Sequence, residues 1–270
     1  MLKYRVLTAL ILIPIFIALV LKLSPIAFCI FTGAMILWGA WEWSALMGLQ
    51  KKSARFLYVF SVLALLVGTF ELPLMQILYV AFVWWLVALV LVLIYPKTSA
   101  KWGKNWVITS LMGFLVLIPC WLAINYIRNA PDGISMLLYV FILIWGADTG
   151  AYFAGRKWGK NKLAPAVSPG KTWEGLTGAL VTTLFIAAGA LFLAKVPYKE
   201  WFIGMTLAVI TVLFSVLGDL FESMLKRNTG LKDSGTLLPG HGGLLDRIDS
   251  LTAAAPIFAL GATQIGKFFQ

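Results

Sequence analysis

Residues 72–94 read LPLMQILYVAFVWWLVALVLVLI, an apolar run without one charged side chain. A helix needs roughly 20 such residues to cross the hydrocarbon core of a bilayer. Apolar residues lie on every face of this segment, so it lacks the period-two alternation of a barrel strand. A helix satisfies its own backbone groups in lipid, and the segment is predicted to be a spanning helix. Comparable runs fall at residues 6–21, 25–48, 56–70, 106–127, 134–154, 175–194, 201–225 and 250–269. The predicted fold is therefore all-α, a polytopic integral membrane protein of about nine transmembrane helices, the third being the weakest. A hydrophobic content of 61% over 270 residues and a mean hydropathy of +0.91 agree, and leave little room for a separate soluble domain.

The run at 6–21 follows Lys3 and Arg5 as a signal peptide would, but no small-residue cleavage site comes after it, so it reads as the first span. Cys29 and Cys120 both lie in apolar runs without metal or redox spacing and read as packing residues. The aromatic residues read as packing groups and interfacial anchors. Residues 1–130 read as a transmembrane scaffold of about five helices and 131–270 as the catalytic region, within one integrated membrane domain.

Lysine and arginine gather on the cytoplasmic side of membrane proteins. When loops are assigned alternately to the two sides, all but five of the 22 basic residues share one side, the exceptions being Lys22, Arg128, Lys195, Lys199 and Lys267. The N-terminus is thus predicted cytoplasmic, with loops 155–174 and 226–249 facing the cytoplasm from the inner (cytoplasmic) cell membrane. The net charge of +11 then reflects topology and anionic ligands. Its scatter through short loops argues against nucleic acid as a partner.

Only 11 acids occur in the chain, and an uncompensated one near the bilayer centre costs roughly 2.5–3.5 kcal/mol on insertion scales. Asp148, Asp219 and Glu222 stand within apolar runs, each just ahead of a polar loop. Asp219, Glu222, Ser223 and Lys226 are spaced to share one helix face. The loop after them, residues 226–249, reads KRNTGLKDSGTLLPGHGGLLDRID. Its glycines, Gly242 and Gly243 included, would let backbone N–H groups approach an anion, while Lys226, Arg227, Lys232 and Arg247 supply phosphate-pairing charge. Asp246 and Asp249, with Asp219 brought near by folding, form a sparse carboxylate set suited to Mg²⁺. His241, the chain's one histidine, has no nucleophile arranged beside it.

The upstream region holds WGADTGAY (145–152) and SPGKTWEG (168–175). Its GKT is not a P-loop, because Pro165 stands where that motif needs glycine and a membrane helix stands where it needs a strand. Ser168, Lys171 and Thr172 remain candidate hydrogen-bond donors to phosphate, with Glu174 on a cation or metal-bound water. An intramembrane acid also marks ion pathways, which keeps a transporter in view, but the polar residues here crowd one side of the membrane.

Residues 223–249 resemble the signature of the phosphatidate cytidylyltransferases (CDP-diacylglycerol synthases), through Ser223, Lys226, Arg227, Lys232, Asp233, Pro239, His241, Gly242, Gly243, Asp246, Arg247 and Asp249. The two upstream segments are similar to that family as well. The resemblance implies transfer of CMP from CTP to phosphatidate, giving CDP-diacylglycerol and pyrophosphate, for phospholipid biosynthesis. It also implies dependence on a divalent cation and often a homodimer. The cytosine base and the lipid tail come from the resemblance alone. The enzyme alternative is a related kinase moving the γ-phosphoryl group of CTP onto a polyprenyl alcohol.

Overall fold

A computed structural model describes residues 14–103, 105–237 and 242–265. Of the described residues, 80% are helical. Residues 14–22 form α1. There follow α2 (Pro25–Leu46), α3 (Lys52–Gly68), α4 (Leu74–Leu93), α5 (Trp106–Asn129), α6 (Gly133–Trp158), α7 (Trp173–Leu193), α8 (Tyr198–Thr229) and α9 (Leu245–Ile265). Seven helices among the described residues, α2 to α8, are long and apolar enough to cross a membrane. Helix α9 is outside that set, and the run expected at 250–269 extends past the described residues. Ala253, Ala254, Ala255, Ala259 and Ala262 are fully buried, letting neighbours pack closely around it.

Local chemistry explains several helix starts. Ser24 caps α2 by accepting from the Ala27 N–H, with Pro25 at the first helical position. Asn105 accepts from the Val107 and Ile108 N–H groups at the start of α5. Helix α8, at about 1.5 Å per residue, is ~48 Å long and overruns a hydrocarbon core of about 30 Å. Its last turns carry the polar side chains of residues 219–229. Gly230, at φ +71°, ends it, and the Leu231 N–H closes on the Lys226 carbonyl at 3.0 Å.

Two boundaries differ from expectation. The segment expected as loop 155–174 contains an antiparallel ribbon, β1 (Lys162–Ala164) and β2 (Ser168–Thr172), so the fold is nearly rather than wholly α. Such a short ribbon has too little apolar alternation to stand out between two spans. The segment expected as loop 226–249 is shorter, because α8 runs on to Thr229 and α9 begins at Leu245. Asp246, Arg247 and Asp249 therefore lie on a helix.

Helix α9 packs on α8, α5, α4, α6 and α2, so the N-terminal and C-terminal parts share one core. Helices α8 and α9 come close at Gly218, where a Cβ would collide with the Asp249 carbonyl oxygen and come within 3.2 Å of the Ala253 Cβ. Gly218→Val should force the two helices apart, costing about 1–3 kcal/mol by overpacking and lowering turnover, checked by denaturation and initial rates of the purified variant.

Candidate active site

The polar face of α8 is held in place by its apolar face. Phe221 lies opposite the stripe of 219, 222, 223 and 226, with its ring centroid 6.4 Å from Trp43, 5.6 Å from Trp84 and 5.7 Å from Trp85. On the polar face, Ser223 Oγ donates to Asp219 Oδ1 at 3.2 Å. Lys226 Nζ lies 3.2 Å from Glu222 Oε1 and 2.6 Å from Asp246 Oδ1. All three side chains are well buried, so salt screens them little. Among the described residues, Lys226 at 3.2 Å is the compensating charge for Glu222.

The first turn of α9 supplies the facing acids. Asp246 Oδ2 accepts from the Gly243 N–H at 2.8 Å, the Ser234 N–H at 2.9 Å and Ser234 Oγ at 2.9 Å. One turn later, Asp249 interacts through space with Asp219, Lys226 and Lys171. Two carboxylates on closely packed helices repel in a low-dielectric setting.

The ribbon brings the third component. Lys171 Nζ lies 2.7 Å from Asp219 Oδ2, joining β2 to α8. Arg227 Nε donates to the Val167 carbonyl at 3.2 Å, and Val167 is buried beneath the turn. Asp148 on α6 feels Lys171, Asp219 and Arg247. It opens onto a cavity of ≈ 380 Å³ between α6, α7, α8 and the ribbon, also lined by Tyr152, Arg156, Lys171 and Thr172. The described part of the cluster thus holds Asp148, Asp219, Glu222, Asp246 and Asp249 against Lys171, Lys226 and Arg247.

Other expected site residues hold the frame. Thr172 Oγ1 accepts from the Gly175 N–H at 3.1 Å and caps α7. Glu174 accepts from Asn161 Nδ2 at 2.8 Å and from the Asn161 N–H, closing the base of the ribbon. Ser168 pairs with Ala164 in the ribbon register. The Gly243 N–H, expected to face an anion, is taken by Asp246. Gly242 occupies the left-handed region at φ +81°, with Asp233 beside it, and Lys232 and Asp233 are exposed. His241 and Pro239 lie outside the described residues.

Glu42 was missed by sequence reasoning. It is only 3% exposed, on α2, in the half read as scaffold, and accepts from the Leu244 and Leu245 N–H groups at 3.0 and 2.7 Å. The signal for it was present, since it is an acid inside the apolar run 25–48.

A model of the cytidylyltransferase family matches residues 3–263. The chain belongs to the cytidylyltransferase family. It is 46% identical over 261 residues to a phosphatidate cytidylyltransferase of Pseudomonas aeruginosa, covering 96% of each chain. A phosphatidate cytidylyltransferase of Haemophilus influenzae is 43% identical over 285 residues, covering 96% of this chain and 98% of that one. One of Staphylococcus haemolyticus is 35% identical over 192 residues, covering 62% of this chain and 74% of its own. Family membership therefore extends well beyond the signature at 223–249 and into the N-terminal helices that hold Glu42.

Proposed function

We propose that the chain transfers the cytidylyl group of CTP to phosphatidate at the cytoplasmic face of the inner membrane. The observation that carries this reading is the convergence of Lys171, Asp219 and Asp249 from the ribbon, α8 and α9 at one end of the bundle. A phosphatidate phosphate oxygen attacks the CTP α-phosphorus, a new P–O bond forms, the α–β bridging bond breaks, and pyrophosphate leaves. Lys171, Lys226 and Arg247 neutralise phosphate charge, with Arg227 and Lys232 at the rim; a preorganised charge set of this kind is most of what nucleotidyl transfer requires. Asp148, at the mouth of the apolar-walled cavity, orients the substrate at the boundary between lipid and water.

The same reading includes Mg²⁺. Among the described residues no three Asp, Glu, His or Cys side chains form a cage for a metal ion. Magnesium commonly takes one or two carboxylates and fills its octahedron with water and phosphate oxygens. Asp219 and Asp249 suit it, because their mutual repulsion would be relieved. Asp246, whose Oδ2 has three donors and whose Oδ1 pairs with Lys226 Nζ at 2.6 Å, would join the ion by giving up that lysine contact. Bound there, the ion would draw charge from the CTP phosphates.

The topology proposed with this function is nine spans with a cytoplasmic N-terminus, supported by the distribution of basic residues. A homodimer is proposed from the resemblance. Purified protein with phosphatidate, Mg²⁺ and cytosine-labelled CTP is expected to move label into lipid, and EDTA should stop it. Label from γ-phosphate appearing in a polyprenol, with none from cytosine, would overturn the reading in favour of the lipid-alcohol kinase.

A further inference from the structure

We propose that Glu42 is a positioning residue of the active site, gripping the start of α9 from the opposite half of the chain so that Asp246 and Asp249 face α8. A helix start leaves backbone N–H groups without intrahelical partners, and a nearby side chain usually caps them. Here the capping groups come from far away in sequence. Glu42 Oε1 accepts from the Leu244 N–H at 3.0 Å and Oε2 from the Leu245 N–H at 2.7 Å, one oxygen for each donor. Trp38 Nε1 donates to Oε1 at 3.1 Å. The Asp246 N–H is capped by Ser234 Oγ at 3.3 Å, and that hydroxyl lies between Glu42 Oε2 at 3.3 Å and Asp246 Oδ2 at 2.9 Å.

The fit around the carboxylate is too close to be incidental. A Cβ at Gly235 would overlap Glu42 Oε1, and one at Gly243 would lie 2.6 Å from Oε2, so the loop folds directly onto the acid with glycine at both contacts. Three N–H donors and the Ser234 hydroxyl surround a group that is 3% exposed. An acid held this way fixes the rotation of the first helical turn, and Asp246 and Asp249 lie within that turn and the next. Glutamine in its place has nearly the same shape, but only one acceptor. Its amide N–H would oppose the Leu244 or the Leu245 N–H, loosening the grip without opening a cavity.

The inference rests on the cytidylyl-transfer reading only for its kinetic readout. Glu42→Gln, Glu42→Asp and the parent protein are compared in the labelled-CTP assay, and amide exchange is followed in parallel over residues 231–249 and over α4 and α5. For Glu42→Gln the expected result is a fall in kcat of about tenfold or more per folded molecule, with KM for CTP nearly unchanged. Exchange should speed up in 231–249 alone, and Glu42→Asp should recover part of kcat. Unchanged kcat in Glu42→Gln would overturn the proposal, as would exchange that accelerates equally across α4 and α5, the mark of a purely structural acid. Should Glu42→Gln not fold, Trp38→Phe removes one donor, and a drop in kcat of roughly threefold is expected with stability kept. No drop there would overturn it. A parent that transfers no label, with local exchange still dependent on Glu42, would overturn the function and leave the grip on α9 standing.

Discussion

Lys226→Met is expected to abolish turnover and to destabilise the fold by about 3–5 kcal/mol, because removing one partner leaves buried opposite charges uncompensated. Lys226 Nζ stands between Glu222 and Asp246, and their side chains are only 3% and 6% exposed. Among the described residues, no other hydrogen-bond donor meets Glu222 to soften the loss. Pairing the substitution with Glu222→Gln should recover part of the stability by removing one stranded charge, while turnover stays lost. Lys226→Arg keeps the charge but replaces a compact ammonium with a planar fork, so it should fold and turn over slowly. Denaturant titration in detergent alongside initial rates separates the two effects. A Lys226→Met protein with parental stability would show that the bridge between α8 and α9 is dispensable.

Asp219→Asn and Asp249→Asn are expected to do the reverse, leaving the fold intact while turnover falls by about 10²–10³, the range seen when a charge that stabilises the transition state is lost. The Lys171–Asp219 pair has side chains 25% and 32% exposed. A partly exposed pair of this kind contributes at most about 1 kcal/mol, so its loss should barely move the unfolding midpoint. Asp249→Asn removes a like-charge repulsion with Asp219 and should be as stable as the parent, or more so. Rates at saturating CTP, repeated across a Mg²⁺ titration, check the role. A raised Mg²⁺ requirement in either variant supports carboxylate ligation, and near-parental rates in both would remove the pair from it.

Comparison of particular elements shows where sequence reading succeeds. The run at 106–127 became α5 (Trp106–Asn129), and the run at 175–194 became α7 (Trp173–Leu193), because lipid leaves the helix as the solution for an isolated apolar segment. The spacing of 219, 222, 223 and 226 likewise appears as contacts, Ser223 on Asp219 and Lys226 on Glu222, since both follow from helical geometry alone. The limits lie elsewhere. Thr172 and Glu174, read as ligand groups, also cap a helix and close a ribbon, and nothing in a short polar stretch foretells those structural bonds.

Helical class, the membrane setting, the polar stripe of α8 and the family follow from the order of residues, because each depends on neighbours within a few turns or on one local motif. The pairing of Lys171 with Asp219, of Lys226 with Asp246 and of Glu42 with the start of α9 does not. Glu42 and Leu245 are 203 residues apart, and their contact exists because α9, lined with alanines, packs among α2, α4, α5, α6 and α8. Helix packing depends on shapes summed over the whole bundle, and so the site's geometry is a property of the assembled helices and not of any one of them.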